Sequence, residues 1–533
     1  MSTAHTVEAT GASLIGADDV PGGTAPFQAV DPATGERLEP VYHEADEATV
    51  ARAAQLAWEA FLRYRHTGFE QRAAFLETIA DELENLGPVV VDRVNAETGI
   101  PVPRVQGELA RTTGQLRLFA NVVREGSWTG ARLDTADPDR SPLPKPDLRQ
   151  RKIPLGPVAV FSASNFPLAF SVAGGDTPSA LAAGAPVIVK AHSAHPASSE
   201  LVGRAIRTAV QAHDLPEGTF SLLFGSGRTT GIALVTDPHI RAVGFTGSRQ
   251  AGVALTAAAA ARPVPIPVYA EMSSINPVFV LPGALADRGE KLGAGFIASM
   301  TTGVGQLCTS PGLVFVVDGP GAPEFVQAAA DAVRAAEPGA MLSSGIASSF
   351  AEGADRLSAK ESIGMVAVAN DDASIAYRGV PQLFVTTDEE FLADHRLQEE
   401  VFGPASLIVR VDDVARLATI VDRLEGQLTA TVHAAPSDNA DARPLLDKLE
   451  LIAGRVLFNG WPTGVEVGHA VVHGGPFPAT SAPSTTSVGS LAIERFLRPV
   501  AYQNVPEELL ADEVRTDNPL RIWRRVDGAL QQT

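Results

Sequence analysis

The feature that most constrains this chain is an alternation that starts near residue 157. Apolar runs at residues 158–161, 187–190, 220–224 and 242–245 are separated by helical patterns at residues 168–183, 197–212, 229–235 and 248–261, with Gly and Pro at the joins. Short β-rich runs linked by helices specify a parallel sheet covered on both faces, so the expected class is α/β and doubly wound. Ligands of such open sheets bind beyond the carboxyl ends of the strands. The residues to inspect are therefore 162–165, 190–193, 225–228, 246–248 and Glu271. A second α/β series begins after Pro277, with strands expected at residues 278–281, 313–317 and 407–410 and a helix at 289–302.

Composition narrows the partners. The 533 residues are 45% apolar, enough for two to four domain-sized units with buried cores. A formal charge of −20 argues against a nucleic-acid footprint and against an anionic membrane surface, and points to a small-molecule ligand. The first residues are small and polar, and no run reaches the roughly 18 apolar residues of a membrane span. The chain reads as soluble and cytoplasmic, with residues 1–26 as a flexible lead. Helices are expected at residues 46–64, 70–86 and 105–125. The last of these carries Leu109, Leu116, Phe119 and Val123 on one face and Arg111, Gln115 and Arg117 elsewhere, where a solvated arginine is the default. A proline-dense linker at residues 137–147 leads to a polar strand at 148–153, predicted to pair with residues 494–500. An arm of that kind commonly completes a sheet in another subunit, which implies a homodimer or homotetramer.

Cys308 is the only cysteine, in Gly303-Val304-Gly305-Gln306-Leu307-Cys308-Thr309. It can form neither an intrachain disulfide nor a four-cysteine metal cage, and no metal site is expected. A nucleophile or an inert buried thiol remains, and a thiol taken alone favours the second. Among the strand ends, Gly225-Ser226-Gly227 is a weak phosphate cradle. Phe245-Thr246-Gly247-Ser248 is better, since a strand ending in Gly-Ser and opening a helix offers N–H groups and a hydroxyl to an anion. Lys190 ends a buried strand within reach of a ribose or phosphate, although alone it reads as a snorkelling lysine.

Six elements occur in order: Asn165-Phe166-Pro167, Lys190, Phe245-Thr246-Gly247-Ser248, Glu271 with Asn276-Pro277, Gly305-Gln306-Leu307-Cys308, and Glu400-Val401-Phe402-Gly403-Pro404. Together they resemble the aldehyde dehydrogenase superfamily over residues 27–500. Glu271-Met272-Ser273-Ser274-Ile275-Asn276-Pro277, the Phe458-Asn459-Gly460-Trp461 segment and His473-Gly474-Gly475-Pro476-Phe477-Pro478-Ala479-Thr480 resemble its α-ketoglutaric semialdehyde (2,5-dioxopentanoate) dehydrogenase branch.

The resemblance implies two doubly wound domains plus a small β oligomerisation arm. Residues 27–138 and 157–271 would bind the cofactor and 272–485 would be catalytic. Residues 139–156 and 486–505 would form the arm, and 506–533 a C-terminal extension. It implies Cys308 as nucleophile, the Asn165 side chain and the Cys308 N–H as oxyanion donors, and Glu271 as general base. Glu400 would hold the nicotinamide ribose, Phe402 would pack near the ring, and Ser162, Lys190, Ser193, Arg228, Gly247 and Ser248 complete the cofactor set. Many NAD-preferring relatives carry Glu at the position of Ser193, so NADP is the expected cofactor, with NAD possible. Arg111 is expected to clamp the substrate carboxylate, with Phe166 and Phe477 as tunnel walls. Competing readings are a phosphorylating member of the fold, a Cys–His hydrolase in which His469 or His473 reaches Cys308, another aldehyde as substrate, and a non-catalytic homologue.

Overall fold

The computed structural model describes residues 8–532, and the alternation at residue 157 becomes a seven-stranded sheet. Its order is Val268–Glu271, Ala242–Thr246, Val158–Phe161, Val187–Lys190, Phe220–Leu223, Ser13–Ile15, Asp18–Val20. The first five strands are parallel. Alternate side chains serve opposite cores: Val158, Val160, Val187, Val189 and Leu222 on one face, Ala159, Phe161, Ile188, Leu223 and Phe245 on the other. The chain runs outward from Val158–Phe161 through two strands, then returns to that strand's other side. The switch point therefore lies between Ser162 and Thr246, where such sheets take ligands.

The second sheet has the order Gly364–Val368, Gln382–Thr387, Ala405–Val411, Leu313–Val317, Val278–Val280, Gln427–His433, Ala453–Phe458. Only Gly364–Val368 pairs antiparallel. A separate five-stranded sheet pairs Leu497–Gln503 with Leu148–Pro154, Leu497 opposite Pro154. The expected partner strand thus begins three residues later than read, because Ser490–Phe496 is 3-10 helical.

Three expectations change. The lead is ordered from residue 8, and residues 1–7 lie outside the described residues. Ser13–Ile15 pairs with Phe220–Leu223. The buried Glu200 carboxylate accepts from the backbone N–H groups of Thr10 (2.9 Å) and Gly11 (3.0 Å) and from the Tyr42 hydroxyl (2.8 Å). A low apolar content did not reveal this tie, since charge and backbone hydrogen bonds hold the segment. The C-terminal residues, read as a separate extension, supply Arg524–Val526 and Ala529–Gln531 to the arm sheet. Finally, the helix expected at 168–183 is only Asp176–Ala183. Gly175 has φ +55, and the N–H groups of Leu168 and Ala169 donate to the Glu108 carboxylate at 2.7 and 2.9 Å, so the chain turns before the helix starts.

Glu200→Ala should strand several buried donors at once and cost about 3–5 kcal/mol, the range for breaking a buried charged network. Urea unfolding of the purified chain measures this, and a change under about 1 kcal/mol, the surface-mutation scale, would contradict it.

Candidate active site

The thiol loop is built on left-handed backbone. Gly303, Val304 and Gly305 have φ values of +62, +57 and +66, a run that L side chains avoid and that a β-branched Val adopts only under constraint. The constraint is contact. A Cβ on Gly305 would lie 2.2 Å from the Gly403 carbonyl, so the Cys308 loop and the Glu400 loop approach through two glycines. Asn276, also at positive φ (+49), donates its side-chain amide to the carbonyls of Cys308 and Ser310, both at 2.9 Å. Its Oδ1 accepts from Ser274 and Thr429 at 2.9 Å each, and the Gln427 side chain takes the Ile275 and Asn276 N–H groups. The second sheet thereby fixes the backbone under the Cys308 thiol.

Three expected residues meet here. Asn165 is buried, and its amide donates to the Gln306 carbonyl at 3.0 Å, leaving a second N–H hydrogen available. Glu271, at the end of its strand, is 1% exposed. Cys308 keeps partial solvent access. A fourth residue joins them: His473 Nε2 lies 3.4 Å from Cys308 Sγ and 2.8 Å from Glu271 Oε1. The second carboxylate oxygen of Glu271 accepts from the Ser487 hydroxyl at 2.8 Å. Burial pushes the Glu271 carboxyl up, but His473 and Ser487 outweigh it and hold it below the ordinary carboxylate range. Burial and the Glu271 charge push the Cys308 thiol well up, with Arg111 opposing.

His473 was read from sequence only as a possible hydrolase partner. It does reach Cys308, whereas His469 is exposed. A hydrolase relay, however, places its nucleophile and its carboxylate on opposite ring nitrogens. Here both meet Nε2, and the buried Nδ1 has no hydrogen-bond partner. The geometry therefore removes the Cys–His hydrolase reading.

Most of the cofactor-type residues lie at or just beyond the carboxyl ends of the first sheet's strands. Lys190 is buried at its strand end, and burial pulls its ammonium down to about 8. The Ser162 hydroxyl is buried without a partner. Glu400 is pushed up to about 8 by burial, with the Ser274 backbone opposing, and with Phe402, Ser274 and Leu307 it lines a narrow cavity of about 30 Å³. Ser193 is exposed on the loop after its strand, and Arg228 is exposed in the short helical turn Gly227–Gly231. The expected anion cradle differs in detail: the Gly247 N–H is committed to the Glu271 carbonyl at 3.1 Å, and the Ser248 hydroxyl caps its own helix at the Ala251 N–H. Unpaired buried polar groups beside a cation suit a dinucleotide with hydroxyl and phosphate groups, so the residues fit a nicotinamide cofactor.

On the opposite side, a cavity of about 570 Å³ is lined by Arg111, Gln115, Arg117, Val465, Glu466 and Val467, among others. Arg117 is paired with Asp81 and Glu84, as a solvated helix face predicts. Arg111 is not: its Nε and Nη2 are buried without hydrogen-bond partners, and its guanidinium lies over Phe166 and Phe170 at 5.8 and 5.1 Å. Phe170 in turn packs against His473, with ring centroids 6.2 Å apart, which connects Arg111 to the thiol side of the site. Phe477 is 56% exposed and stacks under Arg249 at 5.2 Å, and neither it nor Phe166 is among the residues that line this cavity.

Asn276→Ala would leave two backbone carbonyls unpaired in a left-handed turn. Each such loss costs about 1–3 kcal/mol, so kcat should fall steeply while the fold survives at reduced stability. Activity within twofold of wild type, read beside the thermal midpoint, would contradict this.

Residues 20–476 match the model of the aldehyde dehydrogenase family. The chain is 54% identical over 523 residues to an alpha-ketoglutaric semialdehyde dehydrogenase 2 of Azospirillum brasilense, covering 98% of this chain and 99% of that protein. It is 51% identical over 494 residues to an alpha-ketoglutaric semialdehyde dehydrogenase of Acinetobacter baylyi, covering 92% and 93%. Among solved structures, aldehyde dehydrogenase C of Pseudomonas syringae, in complex with NAD+ and octanal, superposes with a TM-score of 0.78 at 20% identity, covering 94% of this chain and 98% of that one. With this fold, these relatives and the match over most of its length, the chain belongs to the aldehyde dehydrogenase family.

Proposed function

We propose that this protein is a cytoplasmic dehydrogenase that oxidises 2,5-dioxopentanoate (α-ketoglutaric semialdehyde) to 2-oxoglutarate with NADP. The observation that carries the reading is the grouping of Cys308, Glu271 and His473, with Asn165 bonded to the Cys308 loop, joined through Phe170 to Arg111, the one unpaired cation among the described residues that line the cavity on that side. Two relatives named for that semialdehyde support the substrate.

Each residue then has a task. The thiol proton leaves by way of the Glu271–His473 pair to solvent as Cys308 sulfur bonds the aldehyde carbon, which overcomes the high resting thiol pKa and leaves Glu271 ionised again for the second half of the reaction. The oxyanion of this adduct is met by the free Asn165 N–H and the Cys308 backbone N–H, and losing one such donor costs on the order of a hundredfold. Nicotinamide, when bound, supplies the hydride acceptor. The thioester left on Cys308 is opened by water that gives its proton to Glu271, whose depressed pKa keeps it ionised at neutral pH. Lys190 and Ser162 would hold cofactor hydroxyls or phosphate, and Glu400 the nicotinamide ribose. Arg111 would hold the 2-oxo carboxylate, with Phe166 beside it. The edge strand Leu497–Gln503 leaves one row of backbone groups for a second chain, which supports a homodimer or homotetramer.

NADP preference is supported by Ser193, which stands where many NAD-preferring relatives carry Glu, and by the nearby strand-end Lys190. Because burial lowers Lys190 to about 8, the free enzyme loses this charge above that pH, and 2′-phosphate binding must then restore it. The KM for NADP should therefore rise by up to roughly tenfold per unit above pH 8 while that for NAD changes little, since one pKa unit is about 1.4 kcal/mol. Equal pH dependence for the two cofactors, or kcat/KM strongly favouring NAD, would contradict the assignment. Arg111→Ala should raise KM for the semialdehyde roughly 10–100-fold, the scale of one charge-assisted hydrogen bond, and leave a neutral alkanal within twofold. An unchanged semialdehyde KM would remove Arg111 as the clamp. A wild-type preference for alkanals over 2,5-dioxopentanoate would remove the substrate.

A further inference from the structure

The donor atoms of Glu271, Cys308 and His473 all lie within 4.8 Å of one another, the one such group of three among the described residues. Their arrangement is unusual for proton transfer. The sulfur and the carboxylate oxygen approach the same ring nitrogen, at 3.4 and 2.8 Å, while Nδ1 is buried and unpaired. One nitrogen holds one proton, so it serves only one of these partners at a time. Three donors converging on one point is instead the geometry of a chelate. We propose that Cys308, His473 and Glu271 bind a borderline transition-metal dication, of which Zn²⁺ is the type, and that this ion holds the enzyme inactive.

The donor set selects the metal. Thiolate, imidazole and carboxylate suit zinc at about 2.0–2.3 Å, in a tetrahedron whose fourth position is left to water. Ligand atoms of such a tetrahedron stand roughly 3.2–3.8 Å apart, so the three side chains need only small shifts. Mg²⁺ and Ca²⁺ prefer all-oxygen shells and are excluded by the sulfur. Glu271 is also steadied by Ser487 at 2.8 Å, as an outer partner of a metal-binding carboxylate would do. The proton balance is simple. The thiol proton leaves to solvent as the Zn–S bond forms, and the ring hydrogen moves from Nε2 to Nδ1 so that the Nε2 lone pair can bind. That second move leaves an unpaired buried N–H, which makes the site weaker than a structural zinc centre and so reversible.

Inhibition rests on the reading of Cys308 as nucleophile; metal binding itself does not. The test uses the full-length, metal-free enzyme titrated with Co²⁺ and then Zn²⁺. One equivalent of Co²⁺ should give a sulfur-to-cobalt band in the near ultraviolet with tetrahedral visible bands, and Zn²⁺ should bleach both. Dehydrogenase activity should fall in step with occupancy and return with EDTA. Cys308→Ser should lose the sulfur band, and His473→Gln should bind Co²⁺ at least roughly tenfold more weakly. Zinc should also protect wild-type Cys308 from iodoacetamide, read by peptide mass, which needs no variant to fold. Equal Co²⁺ binding by wild type and both variants, or activity unaffected at full occupancy, overturns the proposal. Aldehyde oxidation by Cys308→Ser would instead overturn the catalytic reading and leave the spectra to judge the site alone.

Discussion

The site depends on one shared atom. His473 Nε2 stands between the part-exposed Cys308 thiol and the Glu271 carboxylate in a place where His473 and Glu271 are screened from water. Nearby charge is poorly screened there, so each partner sets the state of the others. Glu271 gains a donor and stays ionised, while the same negative charge, with burial, holds the thiol protonated. The resting thiol is thereby held in its protonated, less reactive form.

Everything around that atom serves to hold it in place. Glu271 comes from the end of a strand in the first sheet, Cys308 from a left-handed loop clamped to the second sheet by Asn276 and Gln427, and His473 from a loop fixed by Thr486 and Ser487. The residue 473–481 segment also pairs with the strand of Glu271, through Met272 to Ala479 at 2.8 Å and a bridge to Thr480. Two sheets and a late loop thus converge, and Val304, held at positive φ, packs half-buried against the core of the second sheet.

Much of this was legible in sequence, for physical reasons. Hydrophobic alternation between residues 157 and 271 fixes the parallel sheet, since buried strands must be apolar on both faces. The strand ends it defined include Asn165, Lys190 and Glu271, and the glycines around Cys308 announce its unusual backbone. Other features left no local trace. His473 reaches Cys308 across 165 residues of chain, and no spacing rule anticipates such a contact. The burial of Arg111 depends on Phe166 and Phe170 from a distant loop, while Arg117, two turns along the same helix, stays on the surface as its spacing suggested. The N-terminal strands escaped notice because they are only three residues each: of their apolar side chains Leu14 and Ile15 alone are buried in the two cores, and the buried Glu200 fixes the preceding Thr10 and Gly11 through backbone donors.

The central claim is that Cys308 carries the acyl group and Glu271 releases it, and the most direct test is to trap that state. Glu271→Gln mixed with 2,5-dioxopentanoate and NADP should form reduced cofactor in a single burst, then stop, with one acyl group on the peptide that holds Cys308 by mass spectrometry. Sustained turnover, or a burst with no adduct on Cys308, would contradict the account.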